Sequence, residues 1–153
     1  MKNRNIYFFF MAVSLLIGAV SSLITSENMS IYSSVETPAL SPPSVIFPIV
    51  WTFLFTLMGI SAARIYIASD NKWNISLTVW AAQLAVNFVW SIIFFNYQAF
   101  LFAFIWLILL WTLILAMIIL FYRRDKIASL LQIPYFLWVT FAGYLTISIY
   151  LLN

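Results

Sequence analysis

The chain has no cysteine and no histidine among its 153 residues. Without cysteine there is no disulfide, no thiolate nucleophile and no iron–sulfur ligation, and the redox compartment leaves no mark. Without histidine the commonest haem and zinc ligand is gone. Charge is scarce as well. Only 7% of residues are charged while 65% are hydrophobic, far from the roughly 25% charged residues of a soluble domain. No Asp, Glu, Lys or Arg interrupts a long apolar run, Arg64 standing at the end of one. Proton- and ion-coupled pumps depend on ionisable groups inside the membrane, so active transport is disfavoured. A hydrolase would lack its acid–base residues for the same reason. The net charge of +3 gives no hint of nucleic acid, because the basic residues sit in short turns between apolar runs.

Those runs dominate what is present. Five can be read, over residues 5–24, 44–68, 74–97, 99–122 and 127–152. Each has about 20 residues or more, which at ~1.5 Å per residue spans the ~30 Å hydrocarbon core of a bilayer. The expectation is an all-α integral membrane protein. It is a single domain over residues 1–153, a bundle of five transmembrane helices with a long loop between the first two. Threading the helices alternately puts Lys2, Arg4, Arg64, Lys72, Arg123, Arg124 and Lys126 on one face and no basic residue on the other. That asymmetry orients the chain with its N-terminus cytoplasmic and its C-terminus outside, in a plasma membrane. Lys2 and Arg4, an apolar run and the small residues at 19–22 also fit a secretory signal peptide. The segment is read here as a retained first helix.

The connections differ in character. Asp70-Asn71-Lys72 and Arg123-Arg124-Asp125-Lys126 read as tight turns. Residues 26–43 form a longer stretch carrying Glu27, Tyr32, Glu36, Pro38, Pro42 and Pro43. Loops of this length in a small protein are functional or disordered, and the prolines favour an ordered lid over a floppy linker. Ser41 before Pro42-Pro43 reads as the cap of the second helix, whose free N–H groups at 41–44 would suit a ligand carboxylate, with Glu36 opposing it.

The unusual side chains lie deep. Of seven tryptophans only Trp73 is placed at an interface, the usual membrane position. Trp51 and Trp90 fall about 10 Å below the outer ends of their helices. Trp138, Trp106 and Trp111 are mid-depth, and Trp80 lies nearer the cytoplasmic side. Indole N–H groups at such depth need partners or a ligand. On the third helix Trp80, Gln83, Asn87, Trp90 and Ser91 recur at three- and four-residue spacing on one face. That stripe is either interhelical glue or glue that also lines a cavity. On the second helix Phe47, Trp51, Phe55 and Met58 share a side, with Pro48 read as a kink. On the fifth, Pro134 is read as an internal bend, followed on one face by Tyr135, Trp138 and the small Ala142. The depths of Trp51, Asn87, Trp90, Trp138 and Ala142 match, which suggests an aromatic-walled pocket under the loop. Ser14, Gly18 and Ser22 form a small-residue series on the first helix, and Ala81 and Ala85 another on the third. Either series suits a dimer face or internal packing.

Three blocks of the sequence, PALSPPSVIFPIVWTFLFTLMGISA, WAAQLAVNFVWSIIFF and PYFLWVTFAGYL, resemble the translocator protein family, also called tryptophan-rich sensory proteins or peripheral-type benzodiazepine receptors. The resemblance covers the whole chain. It implies a five-helix bundle, often dimeric, whose cavity is closed by the loop between the first two helices. It implies binding of porphyrins, notably protoporphyrin IX, and of drug-like aromatic amides, and in bacterial members light- and oxygen-dependent porphyrin breakdown. By motif, Trp51, Asn87, Trp138 and Ala142 match the family's pocket positions, with Trp51 and Trp138 the tryptophans tied to porphyrin breakdown. Two departures stand out. Leu145-Thr146 replaces a usual Leu-Asn, and no basic residue follows on the fifth helix to complete a cholesterol-type pattern. Leu120-Tyr122-Arg124 completes that weak pattern on the fourth helix instead.

The functional expectation is a membrane receptor for porphyrins, with Trp51, Phe55, Asn87, Trp90, Tyr32, Trp138, Ala142 and Ser22 at the ligand. Its rivals are an enzyme that photo-oxidises the bound porphyrin through Trp51 and Trp138, and a passive porphyrin transporter or stress sensor acting with a partner. Membrane lipid and a second copy of the chain are the expected macromolecular neighbours. No resident cofactor or metal is expected.

Overall fold

In the computed structural model, which describes residues 2–153, five long helices pack side by side. They are α1 (Lys2–Thr25), α2 (Ile46–Ala68), α3 (Ile75–Ser91), α4 (Phe100–Tyr122) and α5 (Ile133–Leu152). Counting the short helical turns that extend α1, α3 and α5, all five are long and apolar enough to cross a membrane. The basic residues gather at one end of the bundle; Glu27 and Glu36 lie at the other, in the α1–α2 connection.

Local chemistry sets the connections at the basic end. Asp70 (φ 55°) and Asn71 (φ 59°) take left-handed backbone conformations, which short polar side chains tolerate. Asn74 then starts α3, its Oδ1 accepting from Ser76 N at 2.9 Å and Leu77 N at 3.4 Å. Asp125 does the same for the short helix Lys126–Leu130, accepting from Ile127 N at 2.8 Å and Ala128 N at 3.1 Å. The other Asp125 oxygen meets Arg64 of α2 at 2.8 Å. Ser61 donates to Ala128 O at 2.6 Å, and Arg124 to Ser69 Oγ at 3.2 Å. The basic end is therefore cross-tied.

Four sequence expectations are corrected. Ser41 caps no helix: α2 begins at Ile46, preceded by Val45 with no side-chain cap. Pro43 disfavours the helical region for the residue before it, Pro42, and the first turn bond toward α2 runs from Ile46 N to Pro43 O at 3.0 Å. Pro48 kinks nothing, because it falls in the first turn of α2, where a missing N–H forfeits no bond. Pro134 bends no helix from inside. The chain breaks at Leu131–Gln132 after the Lys126–Leu130 helix, and Pro134 sits in the first turn of α5. Finally, α3 does not run as a uniform helix to its end. Residues Ile92–Asn96 widen into a π-helical turn, with Tyr97 N bonded to Ile92 O at 3.2 Å.

Packing divides the bundle. α1 lies on α2, and α4 lies between α3 and α5. Gly59 of α2 lies tight against α1, where a Cβ would stand 2.4 Å from Met11 Cα. One end of this contact carries Gly18, pressed beneath the Phe55 ring. Ser14 is fully buried. So Ser14 and Gly18 of the first-helix small-residue series serve internal packing. Beyond Gly18, toward the end away from the basic residues, side chains of α1, α2, α3 and α5 line a cavity.

Candidate ligand-binding site

The cavity measures about 780 Å³, within the range of small-molecule sites. Residues 26–43 close it from above. They form an ordered cover with two short helical turns, Ser26–Asn28 and Ile31–Ser34, as the prolines suggested. Three ties hold this lid. Asn153 clasps Glu36, accepting from its N–H at 3.1 Å and donating to its carbonyl at 3.0 Å. Asn28 Nδ2 donates to Asn96 Oδ1 at 3.0 Å, at the π-helical turn. The Tyr32 hydroxyl donates to Pro42 O at 3.2 Å.

Every residue expected at the ligand faces this one cavity: Trp51, Phe55, Asn87, Trp90, Tyr32, Trp138, Ala142 and Ser22. α2 brings Phe47, Trp51 and Phe55 to it at helical spacing. Phe47 packs edge-on against Tyr32 of the lid (4.9 Å between ring centres) and against Trp138 of α5 (5.8 Å). Trp51 meets Tyr135 edge-on at 6.2 Å. Ala142, one turn beyond Trp138, leaves space above the indole.

Polar groups are few and ordered. The Tyr135 hydroxyl donates to Gln83 Oε1 at 2.7 Å and accepts from Asn87 Nδ2 at 2.7 Å. Gln83 Nε2 in turn reaches Met58 Sδ at 3.8 Å. With its N–H so engaged, Asn87 keeps its Oδ1 for the cavity it lines. The α3 polar stripe is thus both glue and lining. Trp90 Nε1, also on this wall, is buried with no protein acceptor among the described residues. Trp106 and Trp111, by contrast, are structural. They donate to Val86 O at 2.8 Å and to Thr140 Oγ1 at 2.9 Å. Trp80 packs edge-on with Phe10 away from the cavity, at 5.4 Å.

Several lining residues escaped the sequence reading. Ser21, Thr25, Phe94, Leu145 and Ile149 face the cavity but carry no signal beyond helical phase. Thr146 lines it too, its hydroxyl turned back onto Ala142 O at 2.7 Å, so that the departure from Leu-Asn lies in the cavity wall. Of the proposed carboxylate dock only Ser44 reaches the cavity; Ser41 Oγ is buried without a partner and is not part of the lining.

Comparison with known proteins agrees with this architecture. The model of the TspO/MBR family matches residues 10–152. The tryptophan-rich protein TspO of Chlorobaculum tepidum is 37% identical, over 91% of this chain and 90% of its own length. The protein of the same name from Archaeoglobus fulgidus is 39% identical, over 91% of each chain. The human translocator protein is 26% identical, over 79% of this chain and 73% of its own.

Proposed function

The chain belongs to the TspO/MBR family and is a multi-pass membrane protein, and from that premise we propose that it is a receptor for porphyrins and related planar aromatic ligands. The observation that carries the reading is the cavity itself. It is walled by Trp51, Phe47, Trp90 and Trp138, with the Asn87 amide as an oriented acceptor. A metal-free porphyrin offers the complement to that acceptor, pyrrole N–H groups, on a flat apolar body. The indoles supply stacking and edge contacts. With no histidine or cysteine in the chain, a haem iron would find only weak axial ligands, which favours the metal-free ring. The basic end is assigned to the cytoplasmic side of the plasma membrane by the positive-inside rule, placing the lid outside. A second copy of the chain is the expected membrane partner.

A second reading is favoured by Trp51 and Trp138, which both line the cavity from α2 and α5 beside the contacts that join these helices. In it the bound porphyrin absorbs light and is oxidised by dioxygen, with the two indoles as stacking walls and electron donors. Titration of protoporphyrin IX in the dark, by quenching of tryptophan emission, tests the receptor. Saturable binding supports it, and a linear, unsaturable response removes it. Illumination of the same complex under air and under argon separates binding from turnover, since only turnover consumes the Soret band in an air-dependent way.

A further inference from the structure

The walls of the cavity are unequal. On α3 and α5 no lining residue is exposed. Asn87, Trp90, Ala142 and Thr146 are buried, and Ser91 and Trp138 are half-buried. The seam between α2 and α5 is bridged by side chains, Phe47 on Trp138 and Trp51 on Tyr135. The lid is held by the Asn153–Glu36 and Asn28–Asn96 ties. The remaining wall is the gap between α1 and α2. There Ala19 and Ser22 on one helix, and Pro48 and Thr52 on the other, both line the cavity and stand exposed; the other exposed lining residues, Met29, Ser30, Ser33, Ser44 and Val45, belong to the lid and to the segment that leads from it into α2. Among the described residues no hydrogen bond joins α1 to α2 at this level. Thr52 Oγ1 donates only to Pro48 O of its own helix, at 2.7 Å.

The gap follows from the packing. α1 and α2 touch backbone to backbone at Gly59, and the Phe55 ring covers Gly18. One turn further on, where helical phase brings Ser22 toward Thr52, the cavity-lining side chains at the α1–α2 seam, Ala19, Ser22, Pro48 and Thr52, are small. The surface flanking the gap is apolar. Val20 and Leu23 on α1 and Ile49 and Phe53 on α2 are all exposed. On helices that span a membrane, such residues face acyl chains rather than water.

We propose that ligands reach the cavity sideways from within the bilayer, through this α1–α2 mouth, and that the lid serves as a roof. The proposal rests on the reading of the cavity as a ligand site, and it narrows the ligand class. The natural ligand is an amphiphile that first dissolves in the membrane, with a flat apolar body able to slide between Ala19 and Thr52. Water-soluble analogues of equal shape would bind slowly.

The chain lacks cysteine, so introduced thiols are unique. Two double variants, Ala19→Cys with Thr52→Cys and Glu36→Cys with Asn153→Cys, would be reconstituted in lipid nanodiscs. Each is compared before and after closure with a bismaleimide. Protoporphyrin IX, already dissolved in the bilayer, is followed by quenching of tryptophan emission. Bridging the mouth is expected to slow association by about tenfold or more, whereas bridging the lid should leave it within about twofold. An unchanged rate with the mouth bridged, or slowing by the lid bridge, overturns the proposal. A second readout needs no porphyrin. Phosphatidylcholine brominated on its acyl chains should quench the Trp51 share of emission, taken as parent minus Trp51→Phe, and the mouth bridge should abolish that quenching. A parent protein that fails to bind protoporphyrin would remove the receptor reading, while the bromolipid result would still decide the route.

Discussion

Asn87 of α3 and Tyr135 of α5 meet in a 2.7 Å hydrogen bond, with the Asn87 amide donating and the tyrosine hydroxyl in turn donating to Gln83 Oε1 at 2.7 Å. This chain fixes which end of the Asn87 amide faces the cavity. It also ties α3 to α5 beneath the ligand space, where Tyr135 and Gln83 are fully buried.

Tyr135→Phe removes the central hydroxyl and strands a buried donor and a buried acceptor. A loss of about 1–3 kcal/mol in stability is expected, together with weaker binding of ligands that present N–H groups, since Asn87 can then turn its own N–H to the cavity. Thermal unfolding in detergent and a ligand titration measure the two effects. A variant as stable and as tight-binding as the parent would show that the relay positions nothing.

Gly59 and Gly143 make a contrasting pair. A Cβ at Gly59 would lie 2.4 Å from Met11 Cα, a backbone atom that cannot yield. At Gly143 the nearest atom is Leu107 Cδ2, at 3.4 Å. Gly59→Ala is expected to force α1 and α2 apart, at about 1–3 kcal/mol as overpacking usually costs. Gly143→Ala should be nearly neutral or slightly stabilising, because alanine is the better helix former. Equal unfolding temperatures for the two variants would contradict the helix contact.

Ala142 sets the room above Trp138. Ala142→Leu should crowd the cavity and weaken protoporphyrin IX by about tenfold, equivalent to roughly 1.4 kcal/mol. The unfolding temperature should stay close to the parent's, since the new side chain occupies ligand space. Isothermal titration of the variant at the parent's affinity would take the α5 wall out of the site.

At the opposite end, Asp125 acts both as a helix cap and as the partner of Arg64. Asp125→Asn keeps the cap and gives up the charge; Asp125→Ala gives up both. The alanine variant should be less stable than the asparagine variant by about 1 kcal/mol, the usual worth of a cap. If the two unfold together, the cap contributes nothing.

The five spans were legible because runs of twenty apolar residues have few alternatives, and the depth of Trp51, Asn87 and Trp138 followed from counting residues along them. Helix ends were harder. Pro134 is compatible with a bend or with a first turn, and the choice depends on the Leu131–Gln132 break and the Asp125 cap rather than on proline itself. Ser41 looked like a cap until Pro42-Pro43 is considered as a pair, each proline restricting the residue before it. The π-helical turn at Ile92–Asn96 lies in a purely apolar stretch, IIFF, whose periodicity says nothing of one extra residue per turn. Tyr135 was placed on the correct face, yet its bond to Gln83 and Asn87 depends on the rotation of two helices about their axes.

The central claim is that a planar aromatic ligand binds against Trp51 and Trp138 in the cavity they line, in the space that Ala142 leaves open. Equilibrium titration of protoporphyrin IX in the dark, on the parent and on Trp51→Phe, Trp138→Phe and Ala142→Trp, tests it most directly. The predicted result is saturable binding by the parent, weakened by about threefold to tenfold in either phenylalanine variant, as the loss of one aromatic contact of about 0.5–1.5 kcal/mol implies. With the space filled by Ala142→Trp, binding should disappear while the helical circular dichroism is retained. Undiminished binding by a folded Ala142→Trp variant would place the ligand elsewhere and contradict the claim.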